Sequence, residues 1–384
     1  MALRVLIDAT SIPHNRAGVG RYVEGLTASL SRLTLEELDA DVAVVCQRHD
    51  MVGFAREAPS LRLIAAPSEV AVRAVRLAWE QLGLPGVARQ FRADVVHSPH
   101  YTMPLSTAVF QQRPAVVTLH DATVFTDAAL HLAFKLRFVR AATRIAAARA
   151  ARCIVPSQST RRELVRLIAA DERRIVVIYH GVDHEKFHAP TAGEIARVGA
   201  RLGLNGQPYI AFLGTLEPRK NIPNLIRGWV RAMSDYVEPL PLVLAGGPGW
   251  GPDLEEVVRA VPPRLTLLRA GYLPIDELRG YLGGATLVAY PSVGEGFGFP
   301  LLEAMACGAP VLTTRRLSLP EVAGDAAAYT EPEPEAIASA LDKLLRDPQQ
   351  RASLSKAGRT RSLEFTWERC ARAHLATYRQ AANA

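Results

Sequence analysis

The stretch Gly294-Glu295-Gly296-Phe297-Gly298-Phe299-Pro300-Leu301-Leu302-Glu303 constrains the fold of this chain more than any other. Thr286 to Pro291 ahead of it is an apolar run of the kind that forms a buried parallel strand, and Leu301 to Ala306 has the composition of a helix. The glycines therefore fall in a strand-to-helix turn. There they permit positive φ and let a ligand approach the backbone, while Pro300 suits the first helical turn. The amides and dipole of a helix N-terminus favour an anion such as phosphate. Glu295 precedes the helix and Glu303 lies about one turn into it. The two carboxylates are thus expected to touch different parts of one elongated ligand. A tight structural connection flanked by solvated glutamates is the competing reading.

Strand-like runs alternate with helical segments along the whole chain. In the first half they fall at Leu3 to Ala9, Asp41 to Cys46, Leu61 to Ala65, Asp94 to His97, Ala115 to Leu119, Cys153 to Val155 and Ile175 to Ile178. In the second half they fall at Tyr209 to Gly214, Pro241 to Ala245, Leu265 to Leu268, Thr286 to Tyr290 and, as the last clear strand, Val311 to Thr313. This βαβ alternation predicts an α/β fold of doubly wound parallel sheets. A chain of 384 residues, 49% of them hydrophobic, has material for two such cores. Weak periodicity with Pro190, Gly193 and Gly203 places a linker at 187–206, between domains at 1–186 and 207–364, with a final helical segment at 365–384. Val19, Tyr22, Val23, Leu26 and Leu30 recur at helical spacing after a loop holding Gly18 and Gly20. Thr160 and Glu163 read as a capping box before Leu164.

Several function classes drop out. The first strand and loop lack the Gly-x-Gly-x-x-Gly fingerprint, which excludes a nicotinamide cofactor. Cys46, Cys153, Cys307 and Cys370 are far apart without metal-ligand spacing, so they are expected to be reduced, structural thiols. No apolar run reaches the ~18 residues of a spanning helix, and the first strand pattern begins at Leu3 with no signal peptide ahead of it, so the expected location is the cytoplasm. The formal charge of +7 suits acidic partners, yet no aromatic-interleaved RNA motif or helix-turn-helix points to nucleic acid. Two basic helical stretches, one with Arg73, Arg76, Arg89 and Arg92, the other with Lys135, Arg137, Arg140, Arg144, Arg149 and Arg152, read as solvated faces. The alternative is a peripheral surface for anionic lipid at the inner membrane face.

Arg219 and Lys220 stand side by side just before a helix, where two cations oppose the dipole. A bound diphosphate explains them better than a local structural role, since guanidinium gives forked hydrogen bonds and ammonium a compact charge. His97, His100 and His120 sit at strand ends, where open parallel sheets bind ligands. Asp121 reads equally as a loop cap or as a partner orienting His120.

The span from Glu295 to Glu303, with Ala304-Met305-Ala306-Cys307-Gly308-Ala309-Pro310-Val311 behind it, resembles the Glu-(seven residues)-Glu motif of retaining glycosyltransferases of family four, which have the GT-B fold. The resemblance covers nearly the whole chain. It implies two Rossmann-like domains facing a cleft, the second binding a nucleotide-diphosphate sugar, and a final helix packed back on the first. In its terms Arg219 and Lys220 clamp the diphosphate, and Glu303 accepts from ribose hydroxyls. Gly296, Phe297, Gly298, Phe299 and Leu302 line phosphate and sugar, and Glu295 and His120 hold sugar hydroxyls. Gly18 lies near the phosphates and the backbone at Tyr272 and Leu273 meets the base. Many family members carry the clamp arginine where this chain has Gly214 and Thr215, and Asn-Gly where it has His180-Gly181. The implied chemistry is a metal-independent, front-face transfer with retention, without a cofactor or metal ligands. Its expected donor is GDP-mannose, its acceptor a glycan or lipid-linked molecule. A nucleotide-sugar 2-epimerase, a phosphorylase and a noncatalytic sugar-nucleotide sensor are the competing classes.

Overall fold

The computed structural model describes residues 2–12, 18–105, 113–126, 133–251 and 253–383. Arg16 and Ala17 of the first loop therefore lie outside the described residues. The chain divides into two compact units, Met1–Gly181 with Thr366–Ala384, and Val182–Phe365.

In the first unit, β1 (Leu3–Asp8), β2 (Ala40–Cys46), β3 (Arg62–Ala65), β4 (Val95–Ser98), β5 (Ala115–Thr118), β6 (Arg152–Val155) and β7 (Ile175–Val177) form one parallel sheet in the order β3-β2-β1-β4-β5-β6-β7. The order reverses between β1 and β4, whose register pairs Val5 with Val95 and Ile7 with His97. Val5, Leu6, Ile7, Val95 and Val96 are all fully buried, which is why their apolar runs read as strands covered on both faces. The helix Gly18–Arg32 buries Tyr22, Val23, Leu26 and Leu30, and it starts at Gly18 itself. Gly18 and Gly20 thus belong to its first turn and not to a loop. The helix Gln158–Ile168 is capped by Ser157, whose side chain accepts from the Thr160 amide. The expected box at Thr160 and Glu163 is displaced because Glu163 instead pairs with Arg166 at 2.8 Å.

The C-terminal helix Trp367–Ala382 joins this unit through a one-way chain of hydrogen bonds. Its Tyr378 hydroxyl donates to His97 Nδ1 (2.8 Å), and His97 Nε2 donates to Thr118 Oγ1 (2.9 Å). Thr118 donates to the Tyr22 hydroxyl (2.8 Å), which donates to His374 Nε2 (2.6 Å), and His374 Nδ1 donates to the Cys370 carbonyl (2.8 Å). These directions follow from two things: His374 Nδ1 faces a carbonyl, which can only accept, and burial keeps both imidazoles neutral. It lowers the His374 pKa to about 4 and His97 well below its usual value. Where the helix crosses Gly18–Arg32, a Cβ on Gly25 would stand 2.2 Å from Trp367 Cε2. Gly25→Ala is therefore expected to lower stability by about 1–3 kcal/mol, read as a drop in the urea midpoint. An unchanged midpoint would show that the indole has room to move.

The second unit holds β8 (Ile210–Leu213), β9 (Leu242–Ala245), β10 (Leu267–Gly271), β11 (Leu287–Tyr290), β12 (Val311–Thr314) and β13 (Ala328–Thr330), parallel in the order β10-β9-β8-β11-β12-β13. β13 follows the strand expected to be last. It is three residues long and half-buried, too short to show a period. The segment expected as a linker carries the helix Ala192–Arg201, with a capping box of Thr191 and Glu194. Glu194 pairs with Arg279 and Arg201 with Glu277 (2.5 Å), so it packs on the helix Ile275–Gly283 and belongs to this unit. The break between units accordingly falls at Gly181 and Val182. All four cysteines are buried free thiols.

Candidate active site

The second sheet reverses its strand order between β8 and β11, and loops at such a switch point form ligand crevices beyond the strand ends. After β8, Pro218–Lys220 makes one 3-10 turn that ends at Asn221 with φ 60. After β11, residues Pro291 to Gly298 lead into the helix Phe299–Ala306. The two loops are pinned together: the Val293 amide donates to the Arg219 carbonyl at 2.9 Å, and Ser292 Oγ lies 2.9 Å from the same carbonyl. Gly298 stands at φ 104, a conformation costly for any side chain, and Pro300 occupies the first helical turn.

This brings Arg219, Lys220 and Glu295 into contact. Lys220 Nζ lies 2.6 Å from Glu295 Oε1, and Arg219 Nη1 lies 2.6 Å from Oε2. Arg219 also donates to Glu217 (2.9 Å) and to the Gly294 carbonyl (3.0 Å). The hydroxyls of Tyr290 and Ser292 each reach Glu295 Oε1 at 2.7 Å, and Lys220 also bonds the Tyr290 hydroxyl. Burial opposes the charge on Glu295, but Arg219 and Lys220 overcome it and bring its pKa down to about 2. Burial lowers Lys220 to about 8 despite the attraction of Glu295. Both members of the pair are therefore mainly ionised at neutral pH. The two cations are balanced by two carboxylates, Glu295 and Glu217, and an anion that displaces Glu295 would take over both Lys220 and one edge of Arg219.

The other expected residues are placed as follows. Glu303 is 2% exposed on the helix Phe299–Ala306. Gly296 is buried, Phe299 is half-buried, and Phe297 packs edge-on against Phe299 (5.4 Å) and Phe365 (5.9 Å). The Leu302 side chain is in the core and its amide donates to the Gly298 carbonyl at 3.2 Å. Leu273 is a core residue at the end of β10, next to the half-exposed Tyr272. His120 and Gly18 belong to the first unit. His120 Nε2 donates to the Pro99 carbonyl (2.9 Å), and burial lowers its pKa, leaving Nδ1 as an acceptor. Asp121 is a cap, accepting from the Thr123 amide (3.0 Å) and hydroxyl (2.6 Å). Tyr290 and Ser292 were not expected in the site. Tyr290 ends an apolar strand, where a tyrosine reads as core, and Ser292 lies two residues beyond it.

Residues 199–361 match the family model described as glycosyl transferases group 1, and residues 16–186 match that of glycosyltransferase family 4. The O-antigen chain mannosyltransferase B of Escherichia coli is 30% identical over 293 residues, covering 76% of this chain and 75% of its own. The alpha-maltose-1-phosphate synthase of Mycolicibacterium smegmatis is 28% identical over 390 residues, covering 96% of each chain. Among solved structures, sucrose-phosphate synthase from Thermosynechococcus elongatus is similar in fold, with a TM-score of 0.77 at 21% identity over 98% of each chain.

Proposed function

The chain belongs to the family-four glycosyltransferases of GT-B fold, and on that premise we propose that it moves a mannosyl group, with retention, from GDP-mannose to a glycan or lipid-linked acceptor. The observation that carries this reading is the Arg219-Lys220 pair set against Glu295 at the switch point of the second sheet. Mannose is favoured by the similarity to a protein named a mannosyltransferase.

In the proposed reaction the bond between the anomeric carbon and the diphosphate oxygen breaks, and the acceptor oxygen bonds to the same face of an oxocarbenium-like sugar. The acceptor proton passes to a phosphate oxygen of the departing GDP. Charge grows on that diphosphate, so Lys220, Arg219 and the N-terminal end of the helix Phe299–Ala306 stabilise the transition state more than the ground state. No metal or cofactor is assigned to this step. Glu303 takes the ribose hydroxyls, Gly296, Phe297, Gly298 and Phe299 line phosphate and sugar, and the backbone at Leu273 meets the base. In the first unit, His120 keeps Nδ1 as an acceptor for a hydroxyl.

Glu295 has two successive roles in this scheme. It occupies the cations until the diphosphate arrives, and then turns to the sugar hydroxyls. Glu295→Gln is therefore expected to tighten binding of GDP alone while lowering sugar transfer. Calorimetric titration with GDP, beside turnover on the same preparation, checks both signs, and weaker GDP binding would remove the placeholder role.

A panel of nucleotide sugars read by thermal shift tests the donor, with GDP-mannose expected to stabilise most and a larger shift with another donor overturning it. Incubation with donor alone separates transfer from 2-epimerisation, which would yield the epimeric sugar nucleotide. For the acceptor side, Arg73, Arg137, Arg144 and Arg149 are exposed in the first unit, a basic surface suited to anionic lipid in the cytoplasm. Arg76 and Arg140 are turned inward, to Glu80 (3.3 Å) and the Val124 carbonyl (2.6 Å). No helix among the described residues is long and apolar enough to cross a membrane. Salt-insensitive binding to anionic vesicles, or none, would remove this contact.

A further inference from the structure

The first unit has its own switch point, between β1 and β4, and three buried ligating side chains meet there. Asp8 ends β1, His100 follows β4, and Glu80 comes from the helix Arg73–Leu82. Asp8 and Glu80 are fully buried and His100 is 5% exposed. One atom of each lies within 4.8 Å of the other two. Among the described residues this is the one grouping of three such side chains.

Asp8 and His100 are each fixed by their other atom, and Glu80 by both oxygens. Asp8 Oδ1 accepts from the Thr10 amide (3.0 Å) and hydroxyl (2.7 Å), while Asp8 Oδ2 is buried without a hydrogen-bond partner. Glu80 Oε1 accepts from Gln81 Nε2 at 3.1 Å. His100 Nδ1 lies 2.8 Å from Thr102 Oγ1, which donates to Glu80 Oε2 at 2.7 Å, while His100 Nε2 is buried without a partner. The Thr102 amide donates to His100 Nδ1 (3.2 Å), so the neutral ring carries its proton on Nε2, which faces the two carboxylates 4.0 Å from Asp8 Oδ2 and 3.8 Å from Glu80 Oε2 and would give that proton up to a bound cation.

We infer that Asp8, Glu80 and His100 bind a divalent cation of the borderline class, such as Zn2+ or Mn2+, through Oδ2, Oε2 and Nε2. The mixed nitrogen and oxygen donor set suits those ions. Bonds of ~2.0–2.2 Å at tetrahedral angles separate ligand atoms by about 3.4 Å, so His100 Nε2 would close by about half an ångström on each carboxylate, and the two carboxylates, within 4.8 Å, would rotate towards the ion. Arg76 Nη1, 3.3 Å from Glu80 Oε2, offsets one of the two carboxylate charges and leaves the other for the cation. The ion ties β1, β4 and the helix Arg73–Leu82 together. It belongs to the first unit, takes no part in the proposed transfer and does not depend on it.

The test uses the full chain, stripped with chelator and dialysed against ZnCl2 or MnCl2. One equivalent of metal is expected, with a raised Tm. Asp8→Asn and His100→Gln should each abolish that equivalent, and Thr102→Val should weaken it by about 10-fold or more. No stoichiometric metal in the wild type, or an equivalent retained in folded variants, overturns the inference. Should the variants fail to fold, anomalous diffraction from a Zn2+-soaked wild-type crystal decides it. A peak between the three side chains supports the site, and peaks only elsewhere refute it.

Discussion

Replacing Lys220 by alanine is expected to lower kcat/KM for sugar transfer by about 10²–10³-fold, or about 3 kcal/mol of transition-state stabilisation. The expectation rests on burial. Lys220 is 5% exposed and stacks over the Tyr290 ring at 4.8 Å, so its charge acts where water screens little. Lys220→Arg should not restore activity, because a planar fork does not fit where a compact ammonium touches both Glu295 and Tyr290. Removing the cation also weakens the grip on buried Glu295, so the variant must be compared at a temperature where its fold is intact. Arg219 still holds Glu295, which keeps that comparison possible. A kcat/KM equal to wild type would show that Lys220 does not face the leaving group. The same residue sets an alkaline limit. With its pKa lowered to about 8, Lys220 loses its proton as pH rises through that value, and affinity for a diphosphate should fall with it.

The second large effect is on stability in acid. His374 is buried and neutral, its pKa lowered by burial from 6.5 to about 4. Below pH 6.5 the unfolded chain takes up a proton that the folded chain refuses, so stability is present above that pH and is lost as pH falls towards 4. For His374 alone the loss is about 3 kcal/mol. His97 and His180 are also lowered by burial and add to it. Geometry reinforces the sign, since a second proton on His374 would meet the hydrogen that Tyr22 already donates. Buried Glu80 acts in the opposite sense over the same window, since its pKa is raised to about 7 and the folded chain keeps a proton there that the unfolded chain gives up, so the imidazole loss is read against a His374→Gln variant. Urea unfolding at pH 7 and pH 4.5 measures the difference. A loss no larger in the wild type than in His374→Gln would mean that the imidazole finds room for the proton.

The parallel strands and the glycine turn were readable because each is specified locally. Strands such as Val5 to Asp8 and Leu287 to Tyr290 are buried on both faces, and Gly298 and Pro300 carry their own backbone preferences. Arg219 and Lys220 stood out because two adjacent cations before a helix conflict with its dipole, and such local conflicts gather at functional sites. What the sequence concealed depends on distant partners. Nothing near Glu295 announces that Lys220, 75 positions earlier, will hold it. Asp8, Glu80 and His100 come from three elements, and the His374–Tyr22 bond spans 352 positions. The helix Ala192–Arg201 was hidden by Pro190 and two glycines, although its capping box was there to read.

The central claim is that a departing diphosphate takes the cations now held by Glu295. A crystal structure of the protein with GDP tests it most directly. The account predicts a β-phosphate oxygen within ~3 Å of Lys220 Nζ, with Arg219 on the same group and Glu295 turned away. A diphosphate bound elsewhere, with the contacts of Lys220 and Arg219 to Glu295 intact, would contradict it.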